Sequence, residues 1–303
     1  MSLETVLAYL INRIDLVSPE LAARLSIEIL FRPRKTARSN KEKAFWLTGK
    51  PITFKSGCCG RILGTGKTNI WIIHGWMSRG SKLQNLITAC LETGSEVIVW
   101  DGPGHGDSPG NRTSLAPFTK TLLSDINNFE KKPDVIIGHS FGGAASAYAC
   151  QQGLSAKLLV LISAPSSCVA TFERYWDFLS IGDKARKRFM EIVEKETGIE
   201  VNSMSSVNFI SDLQQKVLVI HDSEDRMVPL SDAYNLRQAR PDIEFLETTK
   251  LGHNRVLHDK DVCSRVSKFI RDNLSLAAPP CVRIDNWTPH FLPASRFHPA
   301  RTA

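Results

Sequence analysis

The sequence predicts an α/β protein with a mostly parallel central sheet flanked by helices. Three observations predict it. Short apolar runs recur at Asn69–Ile73, 96–101, 134–139, 157–163, 216–221 and 243–247, and runs this apolar suit strands covered on both faces. Segments with helical character separate them, near 82–93, 115–130, 141–153, 231–239 and 260–274. This alternation is the pattern of a parallel sheet with helices on both sides. One gap, from Ala164 to Lys216, is longer than a crossover needs and is rich in charged, helix-forming residues, so it reads as an inserted helical cap after the sixth strand.

The elements ahead of this core follow in order. Leu3, Val6, Leu7, Leu10, Ile14 and Val17 recur at helical spacing and predict a first helix over 2–17. Ser18-Pro19-Glu20 is a fresh helix start, with a cap, a first-turn proline and an acid at the positive end, and predicts a second helix to about Leu30. Residues 44–48, 51–57 and 59–63 are rich in strand formers, and Gly64-Thr65-Gly66-Lys67 is expected to turn as a hairpin. The expected organisation is N-terminal helices and connector over 1–43, a core over 44–167 and 213–275, a cap over 168–212, and a proline-bearing mobile tail over 276–303.

The chain carries a net charge of +7, all of it accounted for by two places. Residues 31–43 hold six bases and one acid, and the tail holds Arg283, Arg296 and Arg301 against Asp285. Charge in a connector and a tail, rather than on a folded face interleaved with aromatics, points to solvated segments and away from nucleic acid. The seven cysteines show no metal-ligand spacing and suit a reducing, cytoplasmic compartment. The N-terminus is interrupted by Glu4, Arg13 and Asp15, so neither a signal peptide nor a membrane span is expected there. Nothing in the residues calls for a metal or an organic cofactor, and the expected partner is a small molecule.

Gly64-Thr65-Gly66-Lys67-Thr68 looks like a phosphate-binding loop and fails as one. Such a loop needs a glycine where Arg61 stands, and it must open a helix, whereas Lys67 precedes the apolar run Asn69–Ile73. The informative stretch is Gly138-His139-Ser140-Phe141-Gly142, a G-x-S-x-G pattern between an apolar strand and a small-residue helix. That context is the one a nucleophile elbow requires. Glycines at 138 and 142 make room for the reversal, Ser140 stands at the C-terminal edge of the sheet, and the helix N-terminus adds positive potential. A serine hydroxyl needs a base. His253 follows Gly252 in a loop before the last helix, while His258 reads as a surface residue. Asp222, Glu224 and Asp225 compete as the acid in the loop after 216–221.

These motifs, with His74-Gly75-Trp76 and Asp101-Gly102-Pro103-Gly104-His105-Gly106-Asp107-Ser108, resemble the α/β-hydrolase superfamily over roughly residues 50–274. The resemblance implies the α/β-hydrolase fold and selects Asp225, which is followed by two residues and then Val228-Pro229. An acid after the preceding strand is disfavoured, because Ala164-Pro165-Ser166-Ser167 holds none. It also implies an oxyanion hole from the amide of Phe141 and that of Trp76, with Met77 as the alternative donor. His105, a tempting second base, is expected to be structural, and His139 is expected to point away from the nucleophile that follows it. His74-Gly75-Trp76-Met77-Ser78-Arg79-Gly80 and the N-terminal helix pair are similar to a bacterial subgroup of uncertain substrate, in which an acid is expected at the position of Met77. The implied function is a serine esterase with the triad Ser140, His253 and Asp225, and with Trp176, Phe172 and Met77 as candidate substrate contacts. An acyltransferase with the same triad and a silent binding protein on this scaffold are the alternatives.

Overall fold

The structure is a computed structural model and describes residues 3–274, so the expectation for the tail, 276–303, lies outside the described residues. Eight strands form one sheet: β1 (Lys50–Thr53), β2 (Cys59–Leu63), β3 (Asn69–Ile73), β4 (Glu96–Trp100), β5 (Val135–His139), β6 (Leu158–Ile162), β7 (Lys216–Asp222) and β8 (Glu244–Thr248). Their order is β1-β2-β4-β3-β5-β6-β7-β8. The β1–β2 and β2–β4 pairs are antiparallel and the rest are parallel, which gives the mostly parallel sheet expected.

Strand alternation splits the core into two layers. Ile70 and Ile72 face one side with Val97, Val99 and Ile137, against α4 (Gln84–Leu91) and α12 (Lys260–Leu274). Trp71 and Ile73 face the other with Trp100 and Ile136, against α5 (Leu115–Asn128) and α6 (Phe141–Gln151). The same second layer takes in α1 (Leu3–Asp15), α2 (Pro19–Leu30) and the elements between β6 and β7: α7 (Cys168–Leu179), α8 (Asp183–Thr197) and α9 (Ser206–Ile210). α2 starts as its sequence dictates, with Ser18 Oγ accepting from Leu21 N and proline in the first turn. The remaining helices are α3 (Asn40–Thr48), α10 (Leu230–Ala239) and the short α11 (Gly252–Arg255). No helix among the described residues is long and apolar enough to cross a membrane.

Three expectations are corrected. Residues 44–48 are not a strand but the end of α3. A capping box outweighs their strand-forming composition: Ser39 Oγ accepts from Glu42 N at 3.2 Å, and the Glu42 carboxylate accepts from Ser39 N at 3.1 Å. The Gly64–Gly66 segment is not a hairpin, since β2 and β3 both pair with β4 and not with each other. The glycines are there because the chain crosses close over the start of β4. A Cβ on Gly66 would lie 1.9 Å from Gly94 O, and Gly64 has φ +76°.

The third correction concerns the basic connector, which is docked at Arg38 while its other bases stay exposed. Arg38 reaches Asp107 at 2.5 Å and the fully buried Asp101 at 3.3 Å. The buried Arg79 guanidinium is wrapped by Thr36 O, Ala37 O and the Glu42 carboxylate at 2.8–3.1 Å. Of the connector's six bases, Arg38 and Lys35, whose Nζ donates to Ser108 O, meet the loop that follows β4. Arg38→Ala leaves the Asp101 carboxylate buried without its cation, and is expected to lower unfolding free energy by about 2–3 kcal/mol in urea denaturation. A loss below about 0.5 kcal/mol, the ordinary surface value, contradicts the docked arrangement.

Candidate active site

Ser140 sits where β5 turns into α6. Its φ of +53° and ψ of −123° are strained for a residue with a side chain. The turn is held by Ser140 N donating to Ile162 O at 2.8 Å and Gly143 N donating to Ser140 O at 2.8 Å. It closes only with glycine at its flanks. A Cβ on Gly138 would lie 2.3 Å from Gly142 O, and one on Gly142 would lie 2.4 Å from His74 O. The serine is thereby left half-buried at the sheet edge, as is Phe141, while His139 and Gly142 are sealed.

The other side chains arrive from the loops after β7 and β8. Asp225 Oδ2 lies 2.7 Å from His253 Nδ1, and both residues are buried. Asp225 Oδ1 accepts from the amides of Met227 and Val228, each at 2.9 Å. Burial pushes the Asp225 carboxyl up, but the His253 hydrogen bond and those amides outweigh it and hold it below the usual carboxylate range. An ionised carboxylate accepts only, so His253 Nδ1 carries the hydrogen and Nε2 is left as the acceptor.

The structure separates the three acids that compete in the sequence. Asp222 is buried and accepts from Glu224 N at 3.0 Å, Leu251 N at 3.1 Å, Gly252 N at 2.8 Å and Thr248 Oγ1 at 2.8 Å. It therefore clamps the His253 loop to the Asp225 loop. Glu224 is exposed beside Thr249. His258 is exposed, as expected of a surface residue.

Two amides of residues that line the same cavity as Ser140 have no protein acceptor among the described residues. One is Phe141 N, at the first position of α6, where no intrahelical acceptor exists. The other is Trp76 N. Met77 N is taken, because it donates to His105 Nε2 at 3.2 Å. His105 Nδ1 in turn meets Pro103 O at 2.9 Å, which fixes the tautomer that accepts from Met77. The Trp76 ring stands edge-on to Phe141 at 4.9 Å and to His105 at 5.0 Å.

Ser140, His253, Trp76 and Phe141 line one cavity of about 220 Å³. Phe172 lines it too. Trp176 and Met77 are not among its lining residues. Trp176 packs instead against Phe172 and Phe189 inside the insert, with Arg186 over its ring, and Met77 is exposed.

His139 is a residue whose part the sequence did not disclose. Its Nε2 donates to His253 O at 2.9 Å, and the two rings lie 4.8 Å apart. The strand before the serine is thus tied to the main chain of the imidazole. His74 does similar work, accepting from Gly102 N at 2.9 Å. Burial lowers His74 to about 4, and His105 and His139 to about 3, the last two with help from a neighbouring ring.

These three rings stay neutral in the fold and become cationic near pH 6.5 in the unfolded chain. Their folded values lie below the unfolded value, so the unfolded state takes up more protons as the pH falls from about 6.5 toward 4. Unfolding free energy measured in urea is therefore expected to be lower at pH 5 than at pH 7.5, and His139→Gln to make the decline shallower. A flat profile, or an unchanged slope in the variant, contradicts this.

The chain is similar in part to several known proteins. A family model described as serine aminopeptidase, S33, matches residues 65–205. Monoglyceride lipase of Rattus norvegicus is 30% identical over 96 residues, which are 29% of this chain and 32% of that protein. The magnesium-chelatase 30 kDa subunit of Rhodobacter capsulatus is 33% identical over 89 residues, 27% of this chain and 31% of that protein. The matched stretches span about a third of the length of these curated relatives. Among solved structures, an esterase of Pyrococcus furiosus superposes with a TM-score of 0.61 at 17% identity, covering 80% of this chain and 99% of that one. A putative lipase of Acinetobacter baumannii gives 0.62 at 15% identity, with 80% and 99% covered. Sheet order and strand–helix corner agree with these likenesses, and the chain has the α/β-hydrolase fold.

Proposed function

We propose that the chain is a serine hydrolase that cleaves an ester-like acyl bond through an acyl-enzyme. The observation that carries this reading is the 2.7 Å Asp225–His253 pair, opening on the same cavity as a serine held in a strained corner. Several relatives bear names of the same chemistry: a lipase, an esterase and a putative lipase. Ser140 Oγ attacks the carbonyl carbon, and its proton passes to His253 Nε2. Asp225 keeps the ring in that tautomer and stabilises the imidazolium. The carbonyl oxygen gains the negative charge and is received by the amides of Phe141 and Trp76, each worth about 3 kcal/mol in such a site. The tetrahedral adduct collapses, and the departing alcohol takes the proton from Nε2. Water, activated by the same nitrogen, then releases the acid and restores Ser140.

In this reading α7 to α9 form a cap, and Met77 gives its amide to His105 rather than to substrate, which leaves Trp76 as the second donor. The test is a panel of p-nitrophenyl esters on wild type and two variants. Wild type is expected to hydrolyse them, Ser140→Ala to lose about 10⁴-fold or more in kcat, and Asp225→Asn to lose about 10⁴-fold with folding intact, because the ring then adopts the wrong tautomer. Equal rates for Ser140→Ala and wild type remove Ser140 from the mechanism.

A further inference from the structure

The N-terminal helix pair reaches the reaction cavity. The end of α2 supplies Leu30 and Phe31 to the wall of the space that holds Ser140 and His253. Phe31 is buried and fixed at both ends: its carbonyl accepts from Thr113 N at 2.9 Å, and Arg112 lies 5.5 Å above its ring. α2 is also laced to the helices of the insert. Tyr175 Oη donates to Ser26 O at 2.9 Å, Arg188 pairs with Glu20, and Arg112 bridges Glu28 at 3.1 Å and Glu196 at 2.7 Å. The hairpin and the insert therefore enclose the cavity together.

The chemistry of the wall names the occupant. Besides Leu30 and Phe31 it is built from Ala144, Phe172, Val193 and Met204. The only permanently charged side chain among the described lining residues is Arg174, and its guanidinium is already paired with buried Asp232 at 3.2 Å. Nothing there answers a second carboxylate on the substrate. An apolar cavity of about 150 Å³ accommodates a molecule the size of benzene, so one of about 220 Å³ has room for a chain on the order of eight or nine carbons.

We propose that the cavity is the acyl pocket for an uncharged acyl chain of medium length, and that Leu30 and Phe31 of the N-terminal helix pair set the chain length it accepts. This rests on the hydrolase reading above. Ser140 and His253 act on the carbonyl, and α2 discriminates the tail. Each methylene buried in such a pocket changes kcat/KM by roughly fourfold, so chain-length preference reads the wall directly.

The experiment measures kcat/KM for p-nitrophenyl esters from acetate to palmitate, with active sites counted by titration with a small fluorophosphonate. Wild type is expected to peak near hexanoate to decanoate. Phe31→Ala, which opens the wall, is expected to raise the ratio of dodecanoate to hexanoate by about fivefold or more. Leu30→Trp, at a half-buried position that tolerates bulk better, is expected to lower the ratio of decanoate to butyrate by a similar factor, so the idea remains testable if Phe31→Ala does not fold. Leu21→Ala, on the exposed face of the same helix, is the control and is expected to leave both ratios unchanged. Unchanged ratios in the titratable Leu30 and Phe31 variants overturn the inference and leave the hydrolase reading standing. A wild type that neither hydrolyses any ester nor titrates overturns both.

Discussion

The contact between Asp225 Oδ2 and His253 Nδ1 is the interaction on which the site depends, and much of the surrounding structure serves to hold it at 2.7 Å. The two residues come from loops after adjacent parallel strands, and parallel pairing alone leaves such loops free to diverge. Asp222 prevents this by accepting from both loops at once, including the amide of Gly252 immediately before the imidazole. His139 adds a third restraint by donating to the carbonyl of His253 from the strand that ends at Ser140. A side chain beneath each partner thus holds the main chain that carries it, and His139 ties the imidazole's main chain to the strand that ends at the serine corner.

This arrangement uses buried polar groups that would be costly if unpaired. His74, His105 and His139 are neutral because burial disfavours their cations, and each spends a ring nitrogen on a loop that borders the cavity. His105 has a selective effect, since by taking the amide of Met77 it leaves that of Trp76 as the one available from the turn after β3. The acids on the far side of the same loop, Asp101 and Asp107, are met by Arg38 from the connector. The N-terminal segment thereby braces the loop after β4 through its charge and borders the cavity through Leu30 and Phe31.

What the sequence made legible was local or set by chain order. The corner at Ser140 could be read because a glycine pattern, an apolar strand and a small-residue helix adjoin one another. His253 followed from the order of loops along one sheet edge. Choosing Asp225 over Asp222 needed a resemblance, because both are buried carboxylates in one short loop and only the fold shows that Asp222 accepts from main-chain amides while Asp225 meets the ring. Long-range partners were not legible. Arg38 is paired with acids more than sixty residues away, so composition alone made its segment look solvated. Residues 44–48 have strand-forming side chains, yet Ser39 and Glu42 upstream decide for a helix. Trp176 and Phe172 stand one helical turn apart, and periodicity cannot say which of two buried neighbours faces a cavity and which faces Phe189.

The central claim is that Ser140, His253 and the amides of Trp76 and Phe141 converge on one reacting carbon. A crystal structure of the protein after reaction with a fluorophosphonate tests it most directly. The account predicts phosphorus bonded to Ser140 Oγ, its phosphoryl oxygen within hydrogen-bond distance of both amides, and its chain lying along Phe31 and Phe172. An adduct on another residue, or a phosphoryl oxygen turned away from those two amides, would contradict it.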